Sequence, residues 1–265
     1  MRAGAHRTSM IILYALGSLL LAWFLIIFFY QYIIAIQKID KILPVFANPR
    51  ILSALWISVS SSCITALLSI FFGVPLAYIF AVKNIRYKSL LETLMIDVPQ
   101  TFPPVAEGII LFMMLGPDSP FGINIAYTYL AIVLAKTFVC TPFVVSFAAR
   151  KFRETQTTGA DITAKTLGAS ESQVFWTIFV PIAFKDIIAG TALCWARGMG
   201  ELGGSLIFAG IIPFKTEDIP TFIAVNSSAL IPALAATILA TTASLLALLS
   251  FKAFTKERTT WKGFF

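Results

Sequence analysis

The sequence predicts an all-α membrane protein of six transmembrane helices, on three observations. Apolar residues make up 58% of the 265 and charged residues only 12%, where ordinary soluble domains carry about 25% charged. Long, nearly uncharged runs recur along the chain, each long enough to supply the ~20 residues that cross a bilayer. Lys and Arg are lopsided. With the N-terminus inside, Arg2, Arg7, Lys83, Arg86, Lys88, Arg150, Lys151, Arg153, Lys165, Lys185, Lys252, Lys256, Arg258 and Lys262 fall on the inner side. Only Lys38, Lys41, Arg50 and Lys215 fall outside. The positive-inside rule then places both termini in the cytoplasm. This asymmetry accounts for the net charge of +7 without a nucleic-acid partner.

The first span covers about 10–36. Its basic flank imitates a signal peptide, but Trp23, Phe24, Phe28, Phe29 and Tyr30 stand where a cleavage site needs small residues, so a retained helix is predicted. A polar link with Lys38, Asp40, Lys41 and Pro44 follows, and Pro49 opens a second helix over about 50–82, with a kink expected at Gly73 and Pro75. Lys83, Arg86 and Lys88 form a basic loop. The third helix, about 90–115, is interrupted by Pro99 and Pro103-Pro104, and the turn 116–124 ends it with Pro, Gly and Asp/Asn signals. A fourth helix over about 126–149 gives way to Arg150, Lys151 and Arg153. The fifth covers about 182–212, a polar loop about 213–227, and the sixth about 228–254.

Between spans four and five lies the longest polar stretch, GADITAKTLGASESQVFWTIFVP, 159–181. It reads as two short helices broken at Gly168, a residue able to take φ > 0. Ser170 and Gln173 form a capping box for the second helix, and Val174, Phe175 and Ile178 give it an apolar stripe. Such a stiff polar elbow calls for a partner. The stretch resembles the cytoplasmic loop of permease subunits of binding-protein-dependent ABC importers, which reads E-A-A, three residues, G, nine residues, I-x-L-P. Ile162, Thr163 and Ala164 occupy the E-A-A places, and Gly168, Ile178, Val180 and Pro181 follow at the family spacing. Asp161, one position earlier, is expected to carry the acidic role. The resemblance implies a coupling helix within about 155–181 that docks on an ATP-hydrolysing subunit, with Asp161, Ile162, Thr163, Ala164, Leu167, Gly168 and Pro181 as its residues.

A second segment narrows the branch. Ala196 to Gly204, ARGMGELGG, followed by Ala209-Gly210, Ile212-Pro213, Thr216 and Ile219-Pro220, resembles the R-A-x-G-E-F/L-G-A segment of molybdate, tungstate and sulfate permeases. Val98-Pro99 and Phe102-Pro103-Pro104 resemble that branch's L-P…P-P run. The resemblance implies the type I importer permease fold, with an N-terminal tail, first helix and outer loop over 1–50, the permease domain over 51–251 and a cytoplasmic tail over 252–265. It also implies a homodimer, two ATP-binding subunits on the cytoplasmic side and an external oxyanion-binding protein. The cargo would be molybdate or tungstate, with sulfate as the alternative. ATP and Mg would belong to the partner subunit, and this chain would bind no cofactor and no metal.

Other patterns give way to plainer readings. Gly198, Gly200 and Gly203 spell G-x-G-x-x-G, but a dinucleotide site needs a βαβ unit that a membrane helix cannot supply. Gly200 and Gly204 at G-x-x-x-G spacing read instead as a close helix contact. Gly159 to Thr166 imitates a P-loop, yet Ala164 stands where its second glycine is needed, so ATP chemistry belongs to another chain. Cys63, Cys140 and Cys194 read as buried free thiols, His6 as a solvated tail residue and Asn226-Ser227-Ser228 as a weak outer sequon.

Four charges lie deep in the spans: Glu107, Lys136, Arg197 and Glu201. Each should face protein or water, because a charge at a helix centre costs ~2.5–3.5 kcal/mol on insertion scales. Arg197 and Glu201, at i,i+4, can pair and pin helix five. The functional alternative puts Arg197 or Lys136 along an anion path, with Pro103 and Pro104 shaping a gate. A proton- or sodium-coupled transporter is the rival from another class. It would be expected to show inverted repeats or an acidic relay, and four scattered charges form neither.

Overall fold

The structure is a computed structural model describing residues 2–255, with the side chains of 2–9, 252, 254 and 255 left out of the description. The predicted inner cations Arg2, Arg7, Lys252, Lys256, Arg258 and Lys262, and His6, therefore lie outside it as side chains. The described residues form helices α1 Arg2–Gln37, α2 Ile39–Phe46, α3 Pro49–Val82, α4 Lys88–Thr101, α5 Pro104–Leu115, α6 Tyr129–Thr157, α7 Ala160–Thr166, α8 Glu171–Met199, α9 Ile219–Val225 and α10 Leu230–Thr255. Five of these are long and apolar enough to cross a bilayer, and α4 with α5 makes a sixth only as a pair bent by 114°.

That bend corrects the picture of an interrupted but single third helix. Phe102 (φ −66°, ψ 136°) and Pro103 (φ −62°, ψ 122°) are both extended. Each precedes a proline, whose Cδ disfavours the helical region for its neighbour. Pro99 and Pro181 do not break their helices. Each stands two residues past a π-helical turn, Thr93–Asp97 and Phe175–Phe179 respectively. The widened turn accommodates the missing N–H and the clash with the carbonyl four residues back.

Helices α3, α6 and α8 form the core. Small residues line their contacts, among them Ala77, Ala81, Ala148, Ala149, Cys140 and Ala183, which suits helix packing in lipid, where close van der Waals approach replaces the hydrophobic effect. Gly73 belongs to this seam: a Cβ there would stand 3.2 Å from Val145 Cγ2. Pro75 lies inside the single helix α3. Helix α6 reaches Thr157, eight residues past its predicted end, and so carries Arg150, Lys151 and Arg153 on its last turns. Helix α8 starts at Glu171 and stops at Met199, not near 212. Three glycines within 200–204 follow it, then a π-helical turn, Ser205–Ala209. Helix α10 packs on α8 and α9. Helix α1 touches α10 through Tyr32 Oη and Thr242 Oγ1, 3.0 Å apart, and is otherwise largely exposed.

Candidate functional site

The elbow between α6 and α8 is built by two left-handed glycines. Gly159 (φ +72°) turns the chain from α6 into α7, and Gly168 (φ +90°) ends α7. The Gly168 N–H donates to the Lys165 carbonyl and the Ala169 N–H to the Ala164 carbonyl, both at 3.0 Å. Together these form a Schellman termination, which satisfies the last carbonyls of the helix. Ala164 and Ala169, brought together by it, pack against the core. Both halves of the capping box form: Ser170 Oγ accepts from the Gln173 N–H, and Gln173 Oε1 accepts from the Ser170 N–H. Val174 is buried, and Phe175 and Ile178 pack on the same core, as the stripe predicted.

Within this frame Ile162 is 64% exposed and Leu167 84%. Thr163 and Gly168 are also on the surface. Asp161 is not: it is buried at 3%, its Oδ1 has no hydrogen-bond partner, and it lies within electrostatic reach of Tyr78. The expectation that it presents an acid to a partner is corrected by the geometry of α7, which turns residue 161 inward when 162 and 167 point out. Pro181 sits apart from the elbow, in the continuous helix α8.

Beneath the elbow, Tyr78, Phe152, Phe175 and Phe179 meet edge to face, with centroids 5.0 to 6.3 Å apart. Tyr78 Oη donates to Glu171 Oε1 at 3.2 Å, and Lys83 pairs with the same carboxylate. Arg153 meets Glu92 at 2.6 Å and Arg150 meets Asp186 at 3.0 Å. These partly exposed pairs add little stability. They do gather at one end of the bundle the residues assigned by sequence to the inner side.

The deep charges separate into two groups. Lys136, with no exposed surface, stands 3.2 Å from Asp218 Oδ2, and its Nζ donates to Ser61 Oγ at 2.9 Å. Asp218 Oδ1 also caps α9, accepting from the Thr221 N–H at 3.2 Å. Lys136 is thus held in a buried ion pair, with no exposed side-chain surface in this arrangement. Beside it, Arg50 forms a two-pronged bond to Glu217, at 2.6 and 2.7 Å. Glu217 and Asp218 were missed in the sequence because their loop read simply as polar, yet 216–218 are buried. The sequence signal that could have found them is D-I-P-T, an N-cap followed by Pro at the second residue and a reciprocating Thr.

The second group is Glu107, Arg197 and Glu201. Arg197 Nη1 contacts Glu201 Oε2 at 2.7 Å, as the i,i+4 spacing predicted, although α8 ends between them. Glu201 is buried at 1% and Glu107 at 3%. Neither Glu107 oxygen has a hydrogen-bond partner, while the charges of Glu201 and Arg197 both act on it. The close approach expected of Gly200 falls to its neighbours. A Cβ on Gly203 would lie 2.4 Å from Pro104 Cβ and one on Gly204 2.9 Å from Ala135 Cβ, whereas Gly200 meets only its own turn at 3.8 Å. Pro103 and Pro104 are exposed at the break before α5, Pro104 lying against Gly203. Of the thiols, Cys140 and Cys194 are buried, but Cys63 is exposed on the flank of α3 and accepts from Trp195 Nε1 at 3.2 Å.

Residues 73–259 match the family described as "Binding-protein-dependent transport system inner membrane component". The chain is 34% identical over 209 residues to the molybdate/tungstate transport system permease protein WtpB of Pyrococcus abyssi, covering 78% of this chain and 80% of that protein. It is 35% identical over 182 residues to the molybdenum transport system permease protein ModB of Mycobacterium tuberculosis, covering 65% and 67%. Its fold matches a chain of a bacterial alginate ABC transporter in complex with an alginate pentasaccharide-bound periplasmic protein, with a TM-score of 0.70 at 18% identity over 96% of both chains. It also matches a chain of the inward-facing MetNI methionine ABC transporter, with a TM-score of 0.60 at 11% identity over 77% of this chain and 94% of the other.

Proposed function

From the premise that this chain belongs to the binding-protein-dependent transport system inner membrane component family, we propose that it is the permease subunit of an ATP-driven importer of a tetrahedral oxyanion, molybdate or tungstate. Its fold is that of type I ABC importer permeases. The observation that carries the mechanical reading is the elbow: two exposed apolar side chains, Ile162 and Leu167, on a short helix whose C-terminus is closed by the Schellman bonds of Gly168 and Ala169. The cargo reading rests on the molybdate and tungstate relatives, and these favour it over sulfate. Membership of the family also displaces the ion-coupled transporter.

In this reading two copies of the chain assemble, with both termini and the elbow in the cytoplasm. Two ATP-binding subunits hold ATP and Mg against the elbows, and an external binding protein delivers the anion. The chain itself binds no cofactor. The fold suits it to transmit force. Helices α6 and α8 flank the elbow and make up two thirds of the three-helix core, so displacement of α7 acts directly on the packed spans. The aromatic cluster and the Lys83–Glu171–Tyr78 contacts tie the same point to α3. Of the deep cations, Arg197 retains 35% side-chain exposure and Lys136 none. In this reading, attraction of the anion therefore falls to Arg197.

The test is reconstitution. The purified chain should not hydrolyse ATP. Vesicles holding it with its ATP-binding subunit should take up molybdate or tungstate only with ATP and the loaded binding protein. Uptake by the chain alone under a proton gradient would overturn the reading, and preferential uptake of sulfate would overturn its substrate part.

A further inference from the structure

We propose that Arg197 is a two-position switch, bonded to Glu201 in the arrangement seen and to Glu107 in the opposite access state of the transport cycle. This rests on the importer reading and adds a named conformational element to it.

The starting point is an imbalance. One cation serves two buried carboxylates. Glu201 holds it: Arg197 Nη1 lies 2.7 Å from Glu201 Oε2. Glu107, buried at 3%, has nothing on either oxygen. Buried polar groups are almost always partnered, and a buried carboxyl left without a partner is a costly defect in a fold. The other deep cation offers no relief, because Lys136 is held by Asp218 and Ser61. A single static structure gives Glu107 no role. Two structures do, if each carboxylate takes the guanidinium in turn.

The geometry permits the exchange. Gly204 lies between the two acids. Its N–H donates to Glu201 Oε1 at 3.3 Å, and a Cβ built on it would stand 3.2 Å from Glu107 Oε1. The carboxylates therefore flank one residue that has no side chain to separate them. Arg197 is in the last turn of α8 and partly exposed, so its long side chain has room to swing. Glu201 stands just past the helix end, before the π-helical turn Ser205–Ala209, the kind of local irregularity that functional sites exploit. Glu107 rides on α5, whose only connection to α4 is the extended Phe102-Pro103 break. The acids thus sit on two segments packed against each other through Pro104 and Gly203, so a partner exchange between them needs only a rotamer change of Arg197, a discrete, bistable event. Each state leaves one carboxylate unpaired, so neither arrangement satisfies both acids and a bound ligand can bias the choice between them.

The experiment uses the full-length chain with its ATP-binding subunits in nanodiscs, carrying Cys63→Ser and spin labels at Met113→Cys on α5 and Leu130→Cys on α6, both exposed positions. Distance distributions are recorded without nucleotide and after ATP–vanadate trapping, and thermal stability of the chain alone is recorded in detergent. Glu107→Gln should leave the melting temperature equal or raised, since an unpartnered carboxyl is removed, and should reduce the trapped population severalfold. Glu201→Gln should do the reverse: lower the melting temperature and shift the nucleotide-free distribution toward the trapped one. Shifts of both variants in the same direction, a lowered melting temperature for Glu107→Gln, or a Glu107→Gln distribution identical to the parent's would each overturn the switch alone. The last is what a permanently neutral Glu107 would give. A parent complex that does not respond to ATP overturns the importer reading together with the switch built on it.

Discussion

Lys136 and Asp218, each without exposed surface, face one another across 3.2 Å and join α6 to the segment that opens α9. The contact spans a long stretch of chain and makes Lys136 face protein, as a deep charge should. Ser61 Oγ accepts from the lysine and Thr221 donates to Asp218 Oδ1, while Asp218 Oδ2 meets only the charge of the lysine. Buried pairs of this kind are costly to break from one side only.

Lys136→Met should therefore lower stability by about 3–5 kcal/mol, because Asp218 is left buried and unpaired. Adding Asp218→Asn should recover most of the loss, since Asn still caps α9. Thermal unfolding of the single and double variants in detergent decides it. Additive losses would mean the two residues are not energetically coupled.

At the elbow, Gly168 has φ +90° and open space where a Cβ would go. Gly168→Val should thus cost ~1–3 kcal/mol through backbone strain alone, and Gly168→Asn less, because Asn tolerates the left-handed region. The spans should still insert. Co-purification with the ATP-binding subunit and stimulation of its ATPase should fall in the order Gly, Asn, Val. Wild-type coupling in the Val variant would remove the elbow from the mechanism.

Ile162→Asp and Leu167→Asp place charges on side chains 64% and 84% exposed. Folding should be unaffected. If these residues fill an apolar socket, pull-down of the ATP-binding subunit should drop at least tenfold, about 1.4 kcal/mol. Unchanged pull-down would show that the docking surface lies elsewhere.

The glycine row makes a sharper contrast. Gly203→Ala would drive a methyl to within 2.4 Å of Pro104 and should cost about 1–3 kcal/mol by overpacking. Gly200→Ala has no neighbour nearer than 3.8 Å and should be close to neutral. Melting temperatures that rank the two the other way would refute the packing of α5 against the segment after α8.

Sidedness can be read with two exposed positions. A maleimide that cannot cross the membrane should reach Asp118→Cys from outside and Ser172→Cys only after permeabilisation, with Cys63 replaced in both. The reverse pattern would invert the orientation drawn from the Lys and Arg distribution.

The sequence alone determined what depends on local chemistry and composition. Apolar runs and basic flanks specified the spans, because burial in lipid is read residue by residue. Gly168, Ser170 and Gln173 specified the elbow, because a left-handed stop and a capping box close within a few residues. The i,i+4 spacing was enough to pair Arg197 with Glu201. Only the tertiary structure decided the rest. It bent the third span by 114° at Pro103-Pro104, where composition showed only an interruption. It turned Asp161 inward, and it kept the close contact at Gly204, as its spacing predicted, while moving that of Gly200 to Gly203. It buried Glu217 and Asp218 against Arg50 and Lys136, and left Glu107 facing a cation held by another acid. These outcomes depend on which helix faces are brought together across tens or hundreds of residues, and no local pattern encodes that pairing.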